Sequence, residues 1–573
     1  MTTSSRIRSL ARRLAEHAPP LKDAYRVAVQ PRWELDNWRD YFATRRGLRW
    51  LRQLPAPAEG APRALLVLRR EDIFDVKCRS MLGAALKLEG VEPVVLTNDR
   101  RVPRIHRYVR AFGLQAIRSR DELPLDGREH AEIEELASEL MERQDDFASV
   151  LEWTHRGHRL GERVLSTLIR ETLEGQPDLA DPDVRRRMRR ILVEVLHNYR
   201  QAEKVLDALS PRWVLADESG YAMNGPLVDV AISRGSDVIE TTPFLRAGSL
   251  LFKRVNQELG CAPAASVSPA TFAALAERPW TAAQDRELID ELEERYSGRS
   301  GLQKMYQGKT RSADRRAICR ELGLDPGLPL AVVFCHVLWD SSFFYGSDLF
   351  LTYRAWLEQT LRAAAANPRV SWLIKAHPSN LFRLRHGDVR GPVGEVEVAR
   401  GALAELPGHI RLVLPDSPIS SLSLFREADV GITVRSTAGL EMACFGKPVL
   451  TAGSGHYSGL GFTHDSHTAE EYLERLRRLG DPLRPLDADQ TRRARVYAHA
   501  LMKVRPWILR SFRTRYDFPE NGRHPLDRNL VPAVGSLAEA EAQGDLHRWA
   551  AWAVRSRSAD YLEAVDAPGG GPP

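Results

Sequence analysis

The chain has 573 residues, too many for one ordinary domain, and its 43% hydrophobic and 28% charged residues describe a globular protein in water. No run approaches the roughly 18 consecutive apolar residues of a membrane span, and no apolar core follows the first basic residues as in a secretory signal. The five cysteines (Cys78, Cys261, Cys319, Cys335, Cys444) are scattered and lack CxxC spacing, which fits free thiols in a reducing cytoplasm and argues against a disulfide framework or metal site.

The charge is concentrated at one end. Residues 1–55 sum to +7 against +6 for the whole chain. That basic segment also carries Trp33, Trp38, Tyr41, Phe42 and Trp50, a mixture that suits an anionic membrane surface. A solvated helical extension packed on the body is the alternative. Nothing resembles a nucleic-acid motif.

In chain order, Ala64–Leu68 (ALLVL) and Pro93–Leu96 (PVVL) read as strands, with a helix over Val76–Leu88 between them. That is a βαβ unit opening a parallel sheet. Residues 129–208 are helical and charged, an insertion in or beside this first domain. Trp213–Ala216 and Val238–Thr241 are further strands. Residues 270–325 form a helical connection. A second α/β series follows, with strands at Ala331–Cys335, Trp372–Ile374, Ile410–Leu414, Val430–Val434 and Val449–Ala452. Helices are expected over Phe350–Ala366, Ser420–Arg426, Ala438–Phe445, Thr468–Leu479 and Leu537–Arg555, and the terminal APGGGPP is expected to be disordered.

The division is therefore a basic helical extension (1–55), a Rossmann-like domain with a helical insertion (56–275), the connection (276–325), a second Rossmann-like domain (326–515), and a C-terminal helix and tail (516–573). Two doubly wound α/β domains leave a cleft that the C-terminal ends of both sheets can face, the ligand-binding end of such sheets.

The stretch VSWLIKAHP (370–378) ends an apolar strand in Lys375 and His377 at that end. A lysine beside a histidine donor can receive a phosphate. A lysine reaching water and a loop-capping histidine is the bland alternative. In ADVGITVRSTAGLEMACFGKPVL (428–450), Arg435, Ser436 and Thr437 stand where a strand turns into a helix, whose start offers free N–H groups. Glu441, one turn inside, could accept bonds from vicinal hydroxyls or serve only solubility. In TAGSGHYSGLGFTHDS (451–466), His456 and Tyr457 could touch a ligand or order the domain interface. Asp487-Ala488-Asp489 has the DxD form but opens a polar helix far beyond the core strands, so no metal site is expected there or among the histidines.

KAHP, DVGITVRSTAGLEMACFGKPVL and GHYSGLGFTHDS, with FCHVLWDSSFF (334–344), resemble the capsule polysaccharide biosynthesis family over roughly 325–480. These are bacterial glycosyltransferases of GT-B architecture, related to Kdo-adding capsule enzymes. KxHP alone is also similar to CDP-glycerol glycerophosphotransferases and UDP-GlcNAc 2-epimerases. The resemblance implies a nucleotide-sugar donor as substrate, with no separate cofactor. Lys375, His377, Ser436 and Thr437 would hold its phosphate, Glu441 the ribose, and His336 and Asp340 would line the cleft. Arg435 departs from the smaller polar residue common in similar sequences and would add a phosphate contact or mark a different donor. The implied activity is an inverting, metal-independent transfer to a capsular or lipid-linked glycan, in the cytoplasm or on the inner face of the plasma membrane. Glycerophosphate transfer, sugar-nucleotide epimerisation and a non-catalytic assembly role are the alternatives.

Sugar transfer also needs a base for the acceptor hydroxyl. ADESGY (216–221) ends a strand of the first domain, and its Asp217 and Glu218 point in opposite directions if extended. Glu218 is the favoured base, Asp217 its neighbour, and Asp72 and Asp75 the second choices. A helix cap is the alternative reading for this segment.

Overall fold

Short runs of aliphatic and β-branched residues, each followed by an amphipathic segment, build two parallel sheets in the computed structural model. It describes residues 30–563 except 70, 99–101, 144–145, 244–247, 261, 298–309, 341, 381–393, 404, 482–483, 517–523 and 525. Residues 1–29 and the terminal APGGGPP thus lie outside the described residues.

The first sheet takes β1 (Arg63–Leu68), β2 (Glu92–Thr97), β3 (Ile117–Ser119), β4 (Trp213–Ala216), β5 (Asp237–Pro243) and β6 (Ser249–Val255). The second takes β7 (Leu330–Phe334), β8 (Ser371–Lys375), β9 (Ile410–Val413), β10 (Val430–Thr433), β11 (Val449–Ala452) and β12 (His464–Ser466). A last short strand, β13 (Trp507–Ile508), returns to the first sheet. The orders are β13-β6-β5-β4-β1-β2-β3 and β9-β8-β7-β10-β11-β12. The second sheet is parallel throughout; the first is parallel from β3 to β5 and antiparallel at β6 and β13. Both orders reverse direction beside the first strand of the unit, at β1/β4 and β7/β10, and such switch points open a crevice above the strand ends.

Both faces of each sheet are covered, so the strands read as continuous apolar runs. In β1, Ala64, Leu66 and Leu68 enter one core while Leu65 and Val67 enter the other. In β7, Leu330, Val332 and Phe334 face one layer and Ala331 and Val333 the opposite one. The expected helical insertion is the layer on one face of the first sheet. Its helices α4 (Gly127–Glu142), α5 (Leu160–Thr172) and α6 (Pro182–Leu209) follow α1 (Pro31–Gly47), α2 (Ile73–Leu86) and α3 (Pro103–Ala111). They supply Ile133, Leu165 and Val195 to that core.

The connection contains α7 (Ala282–Tyr296), and α8 (Gly394–Ala402), α9 (Thr437–Ala443) and α10 (Ala488–His499) belong to the second half. After α10 a π-helical turn, Ala500–Val504, leads the chain back to β13. The segment expected to close the second domain at 515 therefore gives its end to the first sheet. The expected helix Leu537–Arg555 is two helices, Leu537–Gln543 and α11 (Asp545–Arg555), broken at Gly544, whose φ of 66° is left-handed. Trp549 and Trp552 of α11 lie in the first domain's core.

Candidate active site

At the second switch point three strand ends converge. β8 ends at Lys375, which pairs in register with Phe334 of β7 and Val413 of β9. The next residues are held by Glu395 of α8, a buried carboxylate that accepts from the His377 backbone N–H at 3.0 Å and from Asn380 Nδ2 at 2.8 Å. Pro378 disfavours helix at His377, and Glu395 fixes the extended turn that results. No feature of the sequence marked Glu395, which approaches only through the fold.

Lys375 and His377 line a cavity of about 350 Å³ with Ser436, Thr437, Phe334, Phe425, Arg295 and Tyr296. Pro243 and Ala265 of the first half complete its wall, so it spans the cleft. Lys375 is 7% exposed, and its Nζ donates to the Leu414 carbonyl at 3.2 Å. Burial pushes its pKa down to about 8, opposed by the nearby Cys335, Asp416 and Glu395. Burial also lowers His377 to about 4, so the ring is neutral at pH 7. Its Nδ1 accepts from the Ser379 N–H at 3.2 Å, which leaves the ring proton on Nε2 as a donor. Ser436 caps α9 by accepting from the Ala438 N–H at 3.3 Å. The helix has only seven residues, so its dipole adds less than a longer helix would.

A second cavity of about 360 Å³ shares Pro243 and Ala265 with the first. Its walls carry Asp75, Asp217, Glu218, Glu240 and Asp340 with Arg170, Arg528 and Tyr221. Asp340 crosses from the second half to accept from the Tyr221 hydroxyl. Arg170 donates to Glu218 at 3.0 Å and lies 3.8 Å from Asp340. Glu218 has φ = 47°, a left-handed backbone that costs a non-glycine residue of order 1 kcal/mol and collects at functional sites. Asp217 accepts from Asn224 at 2.9 Å and lies 3.4 Å from Arg79. Burial raises Asp75 to about 7, against the pull of Arg528 and with Asp72 and Asp217 adding to the rise. Burial likewise raises Glu240, a residue sequence reasoning missed.

Several expected site residues stand elsewhere. Glu441 is fully buried; Arg295 Nη1 lies 2.8 Å from its carboxylate and the Tyr296 hydroxyl donates to it, so these two, and not Glu441, face the cavity. A ribose cannot reach Glu441 in this arrangement. Arg435 turns away to Asp348 and the Ser347 carbonyl. His336 lines neither cavity: it stacks on Tyr353 at 4.4 Å, and its Nε2 accepts from the Arg435 N–H at 3.1 Å, bridging β7 to β10. Asp340 belongs to the acidic cavity and not to the one lined by Lys375 and His377. Tyr457 is fully buried and donates to the Ser436 carbonyl at 2.6 Å, supporting the cap from behind. His456 lines a separate hollow and bonds Tyr497 at 2.9 Å. The Asp487-Ala488-Asp489 segment caps α10 through Asp487.

Arg295→Met would leave Glu441 buried without its cation. We expect a loss of about 3–5 kcal/mol in urea unfolding, largely recovered in Arg295→Met/Glu441→Gln. An unchanged midpoint in the single variant would show that Tyr296 alone satisfies the carboxylate.

Residues 301–486 match the family model described as capsule polysaccharide biosynthesis protein. Over these residues the chain is similar to that family. The matched segment contains Lys375, His377, Ser436 and Thr437 of the first cavity, and with the first sheet opposite it the architecture is GT-B-like. No curated protein matches the chain. Among solved structures, the chain is similar to the beta Kdo 2,4 transferase of Thermosulfurimonas dismutans KpsC, at 16% identity over 56% of this chain and 85% of that one, with a TM-score of 0.31. The beta Kdo 2,7 transferase of the same protein aligns at 16% identity over 61% and 89%, TM-score 0.30. A UDP-GlcNAc 2-epimerase from Neisseria meningitidis bound to UDP-GlcNAc aligns at 10% identity over 77% and 98%, TM-score 0.24. At such scores these likenesses say nothing of individual residues in this chain. Among the described residues no helix is long and apolar enough to cross a membrane, and no group of three His, Cys, Asp or Glu is placed to hold a metal ion.

Proposed function

We propose that the protein is a glycosyltransferase that moves a sugar from a nucleotide-sugar donor to a capsular or lipid-linked glycan acceptor at the inner face of a membrane. The observation that carries this reading is the pair of adjoining cavities, one presenting Lys375 and His377, the other five carboxylates, with a common wall at Pro243 and Ala265. A cation and a neutral N–H donor on one side and candidate bases on the other are what sugar transfer requires. As the bond from the anomeric carbon to the donor phosphate breaks, negative charge grows on the phosphate oxygens. Lys375 Nζ and His377 Nε2–H meet that charge with donors already in place, without calling on a metal. The acceptor hydroxyl attacks from the acidic cavity as Glu218 takes its proton. Attack from the side opposite the leaving group inverts the anomeric centre. Asp217 holds the loop through Asn224, and Asp340 and Arg170 orient Glu218 and the acceptor.

A thermal-shift series with CMP, CDP, UDP, GDP and their sugars tests the donor site, because a ligand that binds the folded state raises its stability by mass action. One nucleotide is expected to stabilise the wild type, and to do so far less in Lys375→Met. No response to any of them would remove the transferase reading.

A further inference from the structure

Helix α1 (Pro31–Gly47) is amphipathic the wrong way round. Its polar side faces the protein. Asn37 is 0% and Thr44 2% exposed, and Asp40 binds Lys77 at 2.7 Å, the Tyr108 hydroxyl at 2.6 Å and Asn529 at 2.8 Å. Glu34 takes Arg104. Lys77, Tyr108 and Asn529 are themselves buried, so this polar seam is a fixed anchor.

The apolar side is left outside. Leu35, Trp38 and Phe42, at spacing i, i+3, i+7, share one face and are 51%, 44% and 57% exposed. They are three of the six large exposed hydrophobic residues among the described residues. Arg107 stacks on Trp38 at 4.1 Å and Trp38 stacks on Phe42 at 5.8 Å, so the rings are held in place while their outer faces stay open. Monomeric proteins rarely leave such a cluster unused.

Beside it lies a hollow of about 630 Å³ walled by Arg39, Arg45, Arg46, Arg49 and Arg52 together with Phe42. Arg39 has an exposed partner in Asp36 at 3.3 Å. No carboxylate among the described residues pairs with the other four, all exposed. Unpaired arginines around an open apolar ridge match the two layers of an anionic bilayer surface, with phosphate groups outside and acyl chains just beneath.

We propose that this face of α1 docks the protein on an anionic phospholipid surface, with Leu35, Trp38 and Phe42 entering the headgroup–acyl boundary and the arginine hollow receiving lipid phosphates. The assignment goes beyond the donor chemistry and does not depend on it. The anchor at Asp40 makes the docking rigid, so the orientation of the whole first domain on the membrane is fixed by the helix.

The test is co-sedimentation of the full chain with phosphatidylcholine vesicles and with mixed phosphatidylcholine–phosphatidylglycerol vesicles, without nucleotide. Binding is expected to the mixed vesicles only. Trp38→Ser/Phe42→Ser and Arg45→Glu/Arg46→Glu should each weaken it by about tenfold or more, and high salt should weaken it in the wild type. All four side chains are exposed, so thermal melting of both variants should match the wild type. Absence of binding to the anionic vesicles overturns the proposal, as does binding that both variants retain. A concentration-dependent dimer that Trp38→Ser/Phe42→Ser dissolves, in protein that ignores vesicles, would make the face a contact between copies. Binding of inorganic pyrophosphate that displaces the protein from no vesicle would reduce the hollow to a small-anion site and equally overturn it. Because nucleotide is left out, failure here is separate from failure of the transferase reading.

Discussion

Lys375→Met is expected to make the unliganded protein more stable and its nucleotide binding about 100-fold weaker at pH 7, a pair of effects with opposite signs. The loss follows from removing a charge-assisted bond to phosphate, at about 1.5–3 kcal/mol for each such bond. The gain follows from the depressed pKa. Lys375 titrates near 8 in the folded protein against about 10.5 when free, so between these values the unfolded chain binds more protons. Stability therefore rises with pH across that window, and below it the folded state bears the full cost of a buried cation. Methionine removes the cation and keeps the stem that fills the wall. Bound phosphate repays the charge in the wild type, so nucleotide affinity should decline as pH rises through about 8. Urea unfolding and isothermal titration at pH 7 and pH 9 measure both quantities. A variant that is less stable and binds nucleotide normally would mean that Lys375 is only a strut for the Leu414 carbonyl.

Glu218→Gln is expected to lower kcat about 10²–10⁴-fold with the donor KM nearly unchanged, the range for loss of a general base. Glutamine keeps the shape and the bond from Arg170 but cannot take a proton. The residue's left-handed backbone, its placement at the end of β4 and its arginine partner all aim the carboxylate into the acidic cavity. Asp75 is the rival, because burial holds it near 7, where a base works well at neutral pH. The two are separable. With Asp75 as base, the rate would climb through pH 7 as that group ionises, and Asp75→Asn would abolish the rise along with turnover. With Glu218 as base, Asp75→Asn changes the profile near pH 7 but leaves substantial turnover. Glu218→Gln at near wild-type rate, with Asp75→Asn inactive, would move the role to Asp75.

The second domain could be read closely from its sequence because its strands are buried on both faces and local. LAVVF, SWLIK and VGIT are largely apolar runs, each with one partner strand a single helix away. Lys375 and His377 stood out for the same reason: a lysine and a histidine at the end of such a run have no local explanation. What failed to show was whatever depends on distant chain. β6 (SLLFKRV) hides a strand behind Lys253 and Arg254, both buried. Lys253 is tolerated there because Asp560 meets it at 2.6 Å, and Arg254 because Asp237 and the Trp552 and Ala553 carbonyls do. Glu441 sits at the right helical position for a ligand, but α7 arrives over it with Arg295 and Tyr296. Tyr457 follows the same pattern, drawn behind the site by the Ser436 carbonyl. Asp75 owes its raised pKa to burial, which outweighs the pull of Arg528, a residue that reaches it at 2.8 Å from the far end of the chain. β3, β12 and β13 span only three, three and two residues, too few for any periodicity to register.

The return of the chain to the first sheet also sets an order of completion during synthesis. β7 to β12 are contiguous, so the second domain holds all its strands long before the end of the chain is made. The first domain does not. Its edge strand β6 waits for β13, and the buried Lys253 waits for Asp560, which follows it by 307 residues. Until then that edge offers unpaired backbone and an uncompensated cation, the state in which an open sheet invites wrong partners. The half of the molecule that is translated first is thus the half that is finished last. A nascent chain halted before residue 505 should carry a protease-resistant second domain beside a still-digestible first one.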